Sequence, residues 1–261
     1  PTSAVPEVPV EGSLRRASIV MAAGTMVSRI LGFVRTYLLT VIAAGTSLAL
    51  DSFQAANTLP NVVFILLSAG VLNAILIPQI TKAMKQSDGG QEFVDRLLTV
   101  SFAAVLVVTV VATLASPWLL DLYFSSSGAT RHLTVFFGFI CMPQIFFYGL
   151  FSLFMAILNT RNIFGPPAWA PVVNNVVAIL TLGLYVLVPG ELSINPVEMG
   201  NAKLLVLGIG TTLGVVAQAT VLFVAIRAER ISLRPLWGID DRLKKFGMKD
   251  CKGYTTPMPA K

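Results

Sequence analysis

The feature that most constrains this chain is an almost uncharged apolar stretch over residues 28–80. The stretch is long enough to cross a lipid bilayer twice, because about 20 apolar residues make one spanning helix. Its only charged residues are Arg29, Arg35 and Asp51. Placing each such charge in lipid is unfavourable by about 2.5–3.5 kcal/mol on insertion scales. These three side chains are therefore the first candidates for functional residues.

Most of the chain is also apolar and poor in charged residues. Of its 261 residues, 55% are hydrophobic and only 12% are charged, whereas about 25% are charged in a soluble domain. The uncharged runs are continuous rather than alternating, which disfavours a β-barrel. The sequence therefore predicts an all-α, polytopic membrane helix bundle with six transmembrane helices, near residues 17–44, 51–80, 97–120, 133–158, 168–188 and 204–226.

Lysine and arginine in the short loops predict the orientation of these spans, since cytoplasmic loops carry an excess of them. One side carries Arg131 and Lys203, and the other carries Arg15, Arg16, Lys82, Lys85, Arg96, Arg161, Arg227, Arg230 and Arg234. Both ends of the chain are therefore predicted to be cytoplasmic. We expect residues 1–16 to form a disordered tail, and residues 227–261 to form a basic cytoplasmic segment that is truncated before a further helix.

The sequence contains no motif for catalysis or for nucleotide binding. It has no nucleophile–base–acid set, and it has no glycine-rich phosphate loop ending in Lys-Ser or Lys-Thr. Cys141 and Cys251 are far apart and show no metal-ligand spacing. The net charge of +6 does not indicate nucleic acid, because the basic residues lie at the ends of apolar runs. We therefore expect a protein that is not an enzyme, with no metal and no cofactor.

Arg29 and Arg35 are the clearest candidates for ligand binding. They lie six residues apart, or about 120° around a helix, so both can line one wide cavity. A guanidinium stays charged and presents a planar fork that suits phosphate, so this cavity would attract an anion such as a diphosphate. The alternative is structural: one arginine extends to the membrane interface or pairs with Asp51.

Polar residues in the second span form another candidate group. Asp51 is either a cavity residue or a charge at a helix N-terminus, where the macrodipole stabilises it. Asn57, Pro60 and Asn61 interrupt the apolar run, and interrupted helices recur at transporter binding sites. A plain proline kink is the alternative. We place Asp51, Asn57 and Asn61 with the two arginines as candidates for substrate binding or gating.

Residues 159–171, NTRNIFGPPAWAP, form a further polar cluster. Asn159 and Asn162 suit helix ends and tight turns, and Pro166 suits the first turn of a helix. The segment therefore predicts a structural turn at the cytoplasmic face of the membrane, with Asn174 and Asn175 inside the span that follows.

Four segments together, in their order and spacing, resemble the MurJ/MviN family of lipid II flippases, which belongs to the multidrug/oligosaccharidyl-lipid/polysaccharide exporter superfamily. The segments are SRILGFVR (28–35), DSFQAANTLPN (51–61), the region from Ala69-Gly70 to Ile77-Pro78, and LNTRNIFGPPAWAP (158–171). The resemblance covers nearly all six predicted spans. The segments look most like those of actinobacterial members.

The resemblance implies a fold of fourteen helices in two lobes around a cationic cavity, with this chain as most of the first lobe. The family's arginines on the first helix correspond to Arg29 and Arg35, and its aspartate near the second helix corresponds to Asp51. These residues are implied to serve a lipid-linked diphosphate or the conformational switch. Phe64 and Ile65 stand where the family commonly has an arginine pair, so one expected phosphate ligand is absent.

The implied function is a flippase that moves lipid II, the lipid-linked peptidoglycan precursor, from the inner to the outer leaflet of the bacterial cytoplasmic membrane by alternating access. Its implied partners are the lipid-linked diphosphate, membrane lipids and cell-wall synthesis proteins, and no nucleic acid. Two alternatives stay open. One is an exporter of drugs or other lipid-linked oligosaccharides, and the other is a non-transporting membrane scaffold for cell-wall synthesis.

Overall fold

Helices account for nearly all of the described residues in a computed structural model of the chain. The structure describes residues 10–42, 47–67, 91–124, 128–189 and 202–229, and these segments contain no β-strand. Their helices are α1 (Val10–Ile42), α2 (Ser47–Leu67), α3 (Gln91–Leu114), α4 (Ser116–Tyr123), α5 (Ala129–Cys141), α6 (Gln144–Thr160), α7 (Gly165–Leu187) and α8 (Ala202–Ala228). The predicted all-α class is confirmed for this part of the chain.

Several of these helices are suited to a membrane. Four helical segments are long and apolar enough to cross it, and the bent α3–α4 pair adds a fifth among the described residues. The second predicted span, 51–80, falls only partly in α2, because residues 68–90 lie outside the described segments. The number of six spans stays a prediction.

The start of α1 differs from the expected disordered tail. The helix begins at Val10, so residues 10–16 of that predicted tail are helical. The physical reason is cooperativity: extending an existing helix by one residue is far easier than nucleating a new one. Residues 1–9 lie outside the described segments.

The third predicted span, residues 97–120, is a bent pair of helices. Helices α3 and α4 meet at an angle of 70°, and Ala115 separates them. Pro117 lies at the beginning of α4. A proline there has no N–H for the carbonyl of Thr113, and its ring would clash with that carbonyl in a continuous helix. The apolar run therefore continues past the point at which the helix changes direction.

The fourth predicted span, residues 133–158, divides into α5 and α6 at Met142 and Pro143. The backbone at this break receives support from another helix. The hydroxyl of Thr212 on α8 lies 3.3 Å from the carbonyl oxygen of Ile140 and 3.0 Å from that of Gly208. Such side-chain donors keep a broken helix tolerable inside a membrane, where water does not supply the missing bonds.

Small residues let α7 pack closely against α1 on one side and against α8 on the other. A Cβ on Gly24 of α1 would lie 2.8 Å from the carbonyl oxygen of Ala168, and one on Gly210 of α8 would overlap Thr181. Along α1 and α7 the residue numbers of contacting positions increase in the same direction, so these two helices are parallel. Along α7 and α8 they change in opposite directions, so these two helices are antiparallel. The beginning of α7 and the end of α8 therefore lie at the same end of the bundle.

The interior of the bundle has an apolar cluster toward each end. One cluster contains Phe53 and Leu207, and the other contains Leu158 and Leu222. Gln218 lies between Leu207 and Leu222 along α8 and is buried. Polar side chains thus occupy the middle of the bundle, where they must bond to one another because hydrocarbon surrounds the spans.

Replacing Gly24 with valine is expected to destabilise the protein by about 1–3 kcal/mol, the usual range for overpacking. The physical reason is that the new Cβ would collide with a backbone carbonyl oxygen of α7. Gly183→Val is the matched control, because a Cβ at Gly183 would meet no atom of another described helix within 4 Å. Thermal unfolding in detergent micelles measures both variants. Equal melting temperatures would show that close approach at Gly24 does not stabilise the bundle.

Candidate functional site

Polar side chains form a stripe along one exposed face of α1. Each residue advances about 100° around a helix, so positions separated alternately by seven and four residues share a face. Five exposed polar residues follow this spacing, and we name them the α1 stripe: Ser18, Thr25, Arg29, Thr36 and Thr40. The hydroxyls of Thr36 and Thr40 donate to carbonyl oxygens one turn earlier, both at 3.0 Å. Both side chains are exposed, and a hydroxyl oxygen that donates can still accept a hydrogen bond.

A second exposed polar stripe lies on α2. Its members are Asp51, Gln54, Thr58 and Asn61, which follow one another at intervals of three or four residues and are all exposed. Phe53, on the other side of α2, is buried in the apolar core. Two of the candidates from the sequence, Asp51 and Asn61, thus share this face, which we name the α2 stripe.

The two stripes mark a surface that is not suited to lipid. Ionisable residues in membrane spans face a bundle interior or a water-filled cavity, because hydrocarbon leaves their hydrogen bonds unmade. The stripe is only one side of α1, whose exposed surface also carries apolar side chains such as Met26 and Phe33. The exposed face of α3 presents apolar residues such as Val107 and Val111. The α1 and α2 stripes are therefore surfaces of the described segments that suit water or a polar ligand.

Arg35 does not belong to the α1 stripe. It lies about 120° around the helix from Arg29, on the side of α1 that packs against α7, and it is only partly exposed. Tyr148 of α6 is close enough to interact electrostatically with its guanidinium. The Tyr148 ring in turn stacks on Phe64 of α2, with ring centroids 5.7 Å apart. The two arginines thus have different surroundings, and the expectation that both line one wide cavity stays a prediction.

Asn57 joins a buried hydrogen-bond network rather than the α2 stripe. Gln144, the first residue of α6, is fully buried. Its amide nitrogen donates to Oδ1 of Asn57 at 3.4 Å and to Oγ1 of Thr212 at 3.0 Å. These bonds connect α2, α6 and α8 beside the α5–α6 break. The Oε1 atom of Gln144 accepts no hydrogen bond in the described segments, so the network is not fully satisfied.

Asn174 and Asn175 tie α7 to its two neighbours. The side-chain nitrogen of Asn174 donates to Oε1 of Gln218, and that of Asn175 donates to the carbonyl oxygen of Ser28, both at 2.9 Å. Ser28 directly precedes Arg29. The bond from Asn175 therefore fixes the rotation of α1, and with it the face on which Arg29 lies.

The helix bounds of α2 bear on the alternatives for Asp51 and Pro60. Asp51 is the fifth residue of α2, and the first turn of that helix has no acidic residue. The macrodipole interpretation is therefore disfavoured, because that effect falls off within the first turn. The expectation of an interrupted helix is wrong, because α2 continues through Pro60 without a break.

The predicted structural turn within residues 159–171 is confirmed. Asn162 has a φ of 60°, in the left-handed region that asparagine tolerates better than most residues. The amides of Asn162 and of the next residue donate to the carbonyl oxygens of Asn159 and Leu158, at 3.1 and 2.9 Å. This is the Schellman pattern that ends a helix. Pro166 lies in the first turn of α7, as expected.

Sequence reasoning did not identify Gln144 or Tyr148. Both lie in a strongly apolar, aromatic run, where single polar side chains resemble ordinary helix interior. One signal was available for Gln144, which directly follows Pro143. A polar residue beside a proline in a span marks a helix break whose backbone groups need new partners.

A family model described as "Lipid II flippase MurJ" matches residues 41–252, which is most of the chain. The chain belongs to the MurJ family. The MurJ match includes α2 with Asp51, Asn57 and Asn61. Arg29 and Arg35 lie before its first residue.

Curated MurJ relatives align over most of the chain. A Rhizobium tropici protein named "Probable lipid II flippase MurJ" is 29% identical over 227 residues, which are 85% of this chain and 41% of that protein. A Vibrio cholerae protein of the same name is 28% identical over 248 residues, which are 90% of this chain and 45% of that protein. The chain therefore spans less than half the length of these relatives.

A solved structure shares the fold. It is that of a lipid II flippase MurJ in an inward closed conformation, and it has a TM-score of 0.64 at 21% identity. The similarity covers 88% of this chain and 45% of the solved one. The fold of the chain is therefore that of about half of a MurJ protein.

Thr212→Val is expected to destabilise the protein by about 1–3 kcal/mol, the usual penalty for an unsatisfied buried polar group. It removes a partner of Gln144 and the hydroxyl beside the carbonyl of Ile140. Thr220→Val is the matched control, because Thr220 is exposed on the same helix and its hydroxyl donates within that helix. Melting temperatures in detergent micelles compare the two. If they coincide, the network around Gln144 does not stabilise the bundle.

Proposed function

We propose that the chain is the first of two lobes of a lipid II flippase, which moves the lipid-linked peptidoglycan precursor from the inner to the outer leaflet by alternating access. The observation that carries this proposal is the α1 stripe. A helix long and apolar enough to cross a membrane presents Arg29 on an exposed polar face. MurJ membership supports the substrate class and favours a flippase over a drug exporter or a scaffold.

The physical task of such a flippase is to shield a polar head group from hydrocarbon. A diphosphate with attached sugars cannot enter lipid without losing its hydration, which is strongly unfavourable. Arg29 stays charged, and its planar guanidinium matches the geometry of phosphate oxygens. The hydroxyl, amide and carboxylate groups of the two stripes offer hydrogen bonds to the remainder of the head group. The lipid tail remains in the bilayer.

The other candidates take different roles in this proposal. Arg35 is only partly exposed and lies away from the stripe, on the side of α1 that packs against α7, so we assign it to the conformational switch. Asp51 and Asn61 are exposed on the α2 stripe and contact the head group. Asn57 is bonded to Gln144 and positions α2.

We infer that the chain lies in the bacterial cytoplasmic membrane with a cytoplasmic N-terminus and six spans. The packing supports this topology. Arg161, just before α7, and Arg227, at the end of α8, lie at one end of the bundle, since these helices are antiparallel. Because α1 runs parallel to α7, Arg15 lies at that end too. A cluster of basic residues at one end is the usual mark of the cytoplasmic side.

Arg29→Ala is expected to reduce lipid II flipping by about tenfold or more, because hydrogen bonds to charged groups contribute about 1.5–3 kcal/mol each. Arg29→Lys should retain part of the activity, since it keeps the charge but loses the planar fork. The assay uses proteoliposomes that contain this chain joined to the second lobe of the Vibrio cholerae relative. The chain without a second lobe is expected to remain at the background rate.

Arg161→Ala is the matched control, because it removes an exposed arginine from the turn before α7 rather than from the α1 stripe. All variants are compared at equal membrane insertion. A normal flipping rate in Arg29→Ala would exclude the role given to Arg29. Absence of flipping in the unsubstituted two-lobe protein would contradict the proposed function itself.

A further inference from the structure

Helix α4 changes direction after α3 has covered most of the membrane. The apolar part of α3, Leu98–Leu114, is about 26 Å long at 1.5 Å per residue. That length is close to the hydrocarbon core of a bilayer, which is about 30 Å thick, and it is at the short end of the range for a spanning helix. The bend of 70° then directs α4 away from the axis of α3. A helix that turns so far at the end of a span lies closer to the plane of the membrane surface than to its normal.

The two faces of α4 have different surroundings. Ser116 and Leu120 are buried on the side that packs against α5. Trp118 and Leu122, one turn apart on the opposite side, are 78% and 87% exposed. Tyr123 follows and is also exposed. Tryptophan and tyrosine are enriched where a membrane meets water, because their rings combine an apolar body with a polar group.

The exposed face of α4 continues an apolar surface of α3. Val107, Val111 and Leu114 are exposed along α3, and acyl chains cover such a surface in a spanning helix. Leu114 is the last residue of α3, and α4 begins two residues later. The exposed apolar residues of α3 and the Trp118 face of α4 are therefore neighbours along the chain.

An ion pair lies on the flank of α4 and connects it to α5. Arg131 Nε donates to Asp121 Oδ1 at 2.8 Å, and Arg131 Nη2 donates to Asp121 Oδ2 at 2.6 Å. The two side chains are 41% and 39% exposed. Asp121 lies about 100° around the helix from Leu122. The helix thus has a protein face, an apolar aromatic face and a charged flank between them.

We propose that α4 is an interfacial helix that lies flat at the membrane surface and binds the lipid leaflet through Trp118 and Leu122. The Asp121–Arg131 pair faces the aqueous side and holds α4 against α5. An amphipathic helix of this kind buries its apolar face about 5–10 Å into the boundary between head groups and acyl chains. Its partner is the lipid surface itself, which fixes the depth of the bundle in the bilayer.

Fluorescence quenching tests this placement. In the chain carrying Trp169→Phe and Trp237→Phe, Trp118 is the remaining tryptophan. The protein is reconstituted in phosphatidylcholine vesicles with lipids brominated near the carbonyl end or near the methyl end of the acyl chains. Quenching by the shallow bromines should be at least about twofold stronger, since the ring lies near the boundary. Stronger quenching by the deep bromines would mean that α4 enters the bilayer core and would overturn the proposal.

Two further outcomes also overturn it. Quenching by aqueous iodide with no effect of either lipid would place Trp118 in water, and no quenching by any agent would mean that protein covers this face. Asp121→Asn should release α4 from α5 and reduce the difference between shallow and deep quenching. Glu229→Gln is the matched charge control, because it removes one exposed negative charge away from α4, and it should leave the profile unchanged. An unchanged profile in Asp121→Asn would exclude the holding role of the ion pair.

Discussion

Hydrocarbon offers no hydrogen bonds, and this constraint accounts for where the polar side chains of the described segments lie. Some of them bond to one another between helices, as Asn174 does to Gln218. Others form the α1 and α2 stripes, which therefore require water, a ligand or another part of the protein beside them. A third group lies at the end of the bundle, where Asp121 pairs with Arg131. In each of the three places, a polar group avoids being left in hydrocarbon without a hydrogen-bond partner.

The close approach of α1, α7 and α8 makes this arrangement specific. Gly24 lets the backbones of α1 and α7 come near each other, and the bond from Asn175 to the carbonyl of Ser28 then sets the rotation of α1. That rotation places Arg29 on the outer polar face and Arg35 toward the interior. A packing contact thus determines which arginine is exposed and which one is partly buried.

Much of this architecture could be predicted from the sequence. The bounds of the predicted spans 168–188 and 204–226 differ from those of α7 and α8 by only a few residues. The reason is that an uncharged apolar run of spanning length strongly favours a transmembrane helix. The bends near Pro117 and Pro143 were not predicted, since hydropathy reports the composition of a run and not its direction. The difference in exposure between Arg29 and Arg35 was not predicted either. Their spacing gives an angle between them, whereas their surroundings depend on Asn175, which is 146 residues after Arg29.

The most direct test of the central claim measures whether the α1 stripe faces water. Thr36→Cys in the two-lobe protein, with Cys141→Ala and Cys251→Ser, would be treated with a membrane-impermeant maleimide. Leu180→Cys serves as the comparison, because Leu180 is exposed on an apolar face of α7. We predict that the cysteine at position 36 reacts many times faster than the one at position 180. Equal protection of the two cysteines would contradict a water-filled polar face on α1, and with it the role proposed for Arg29.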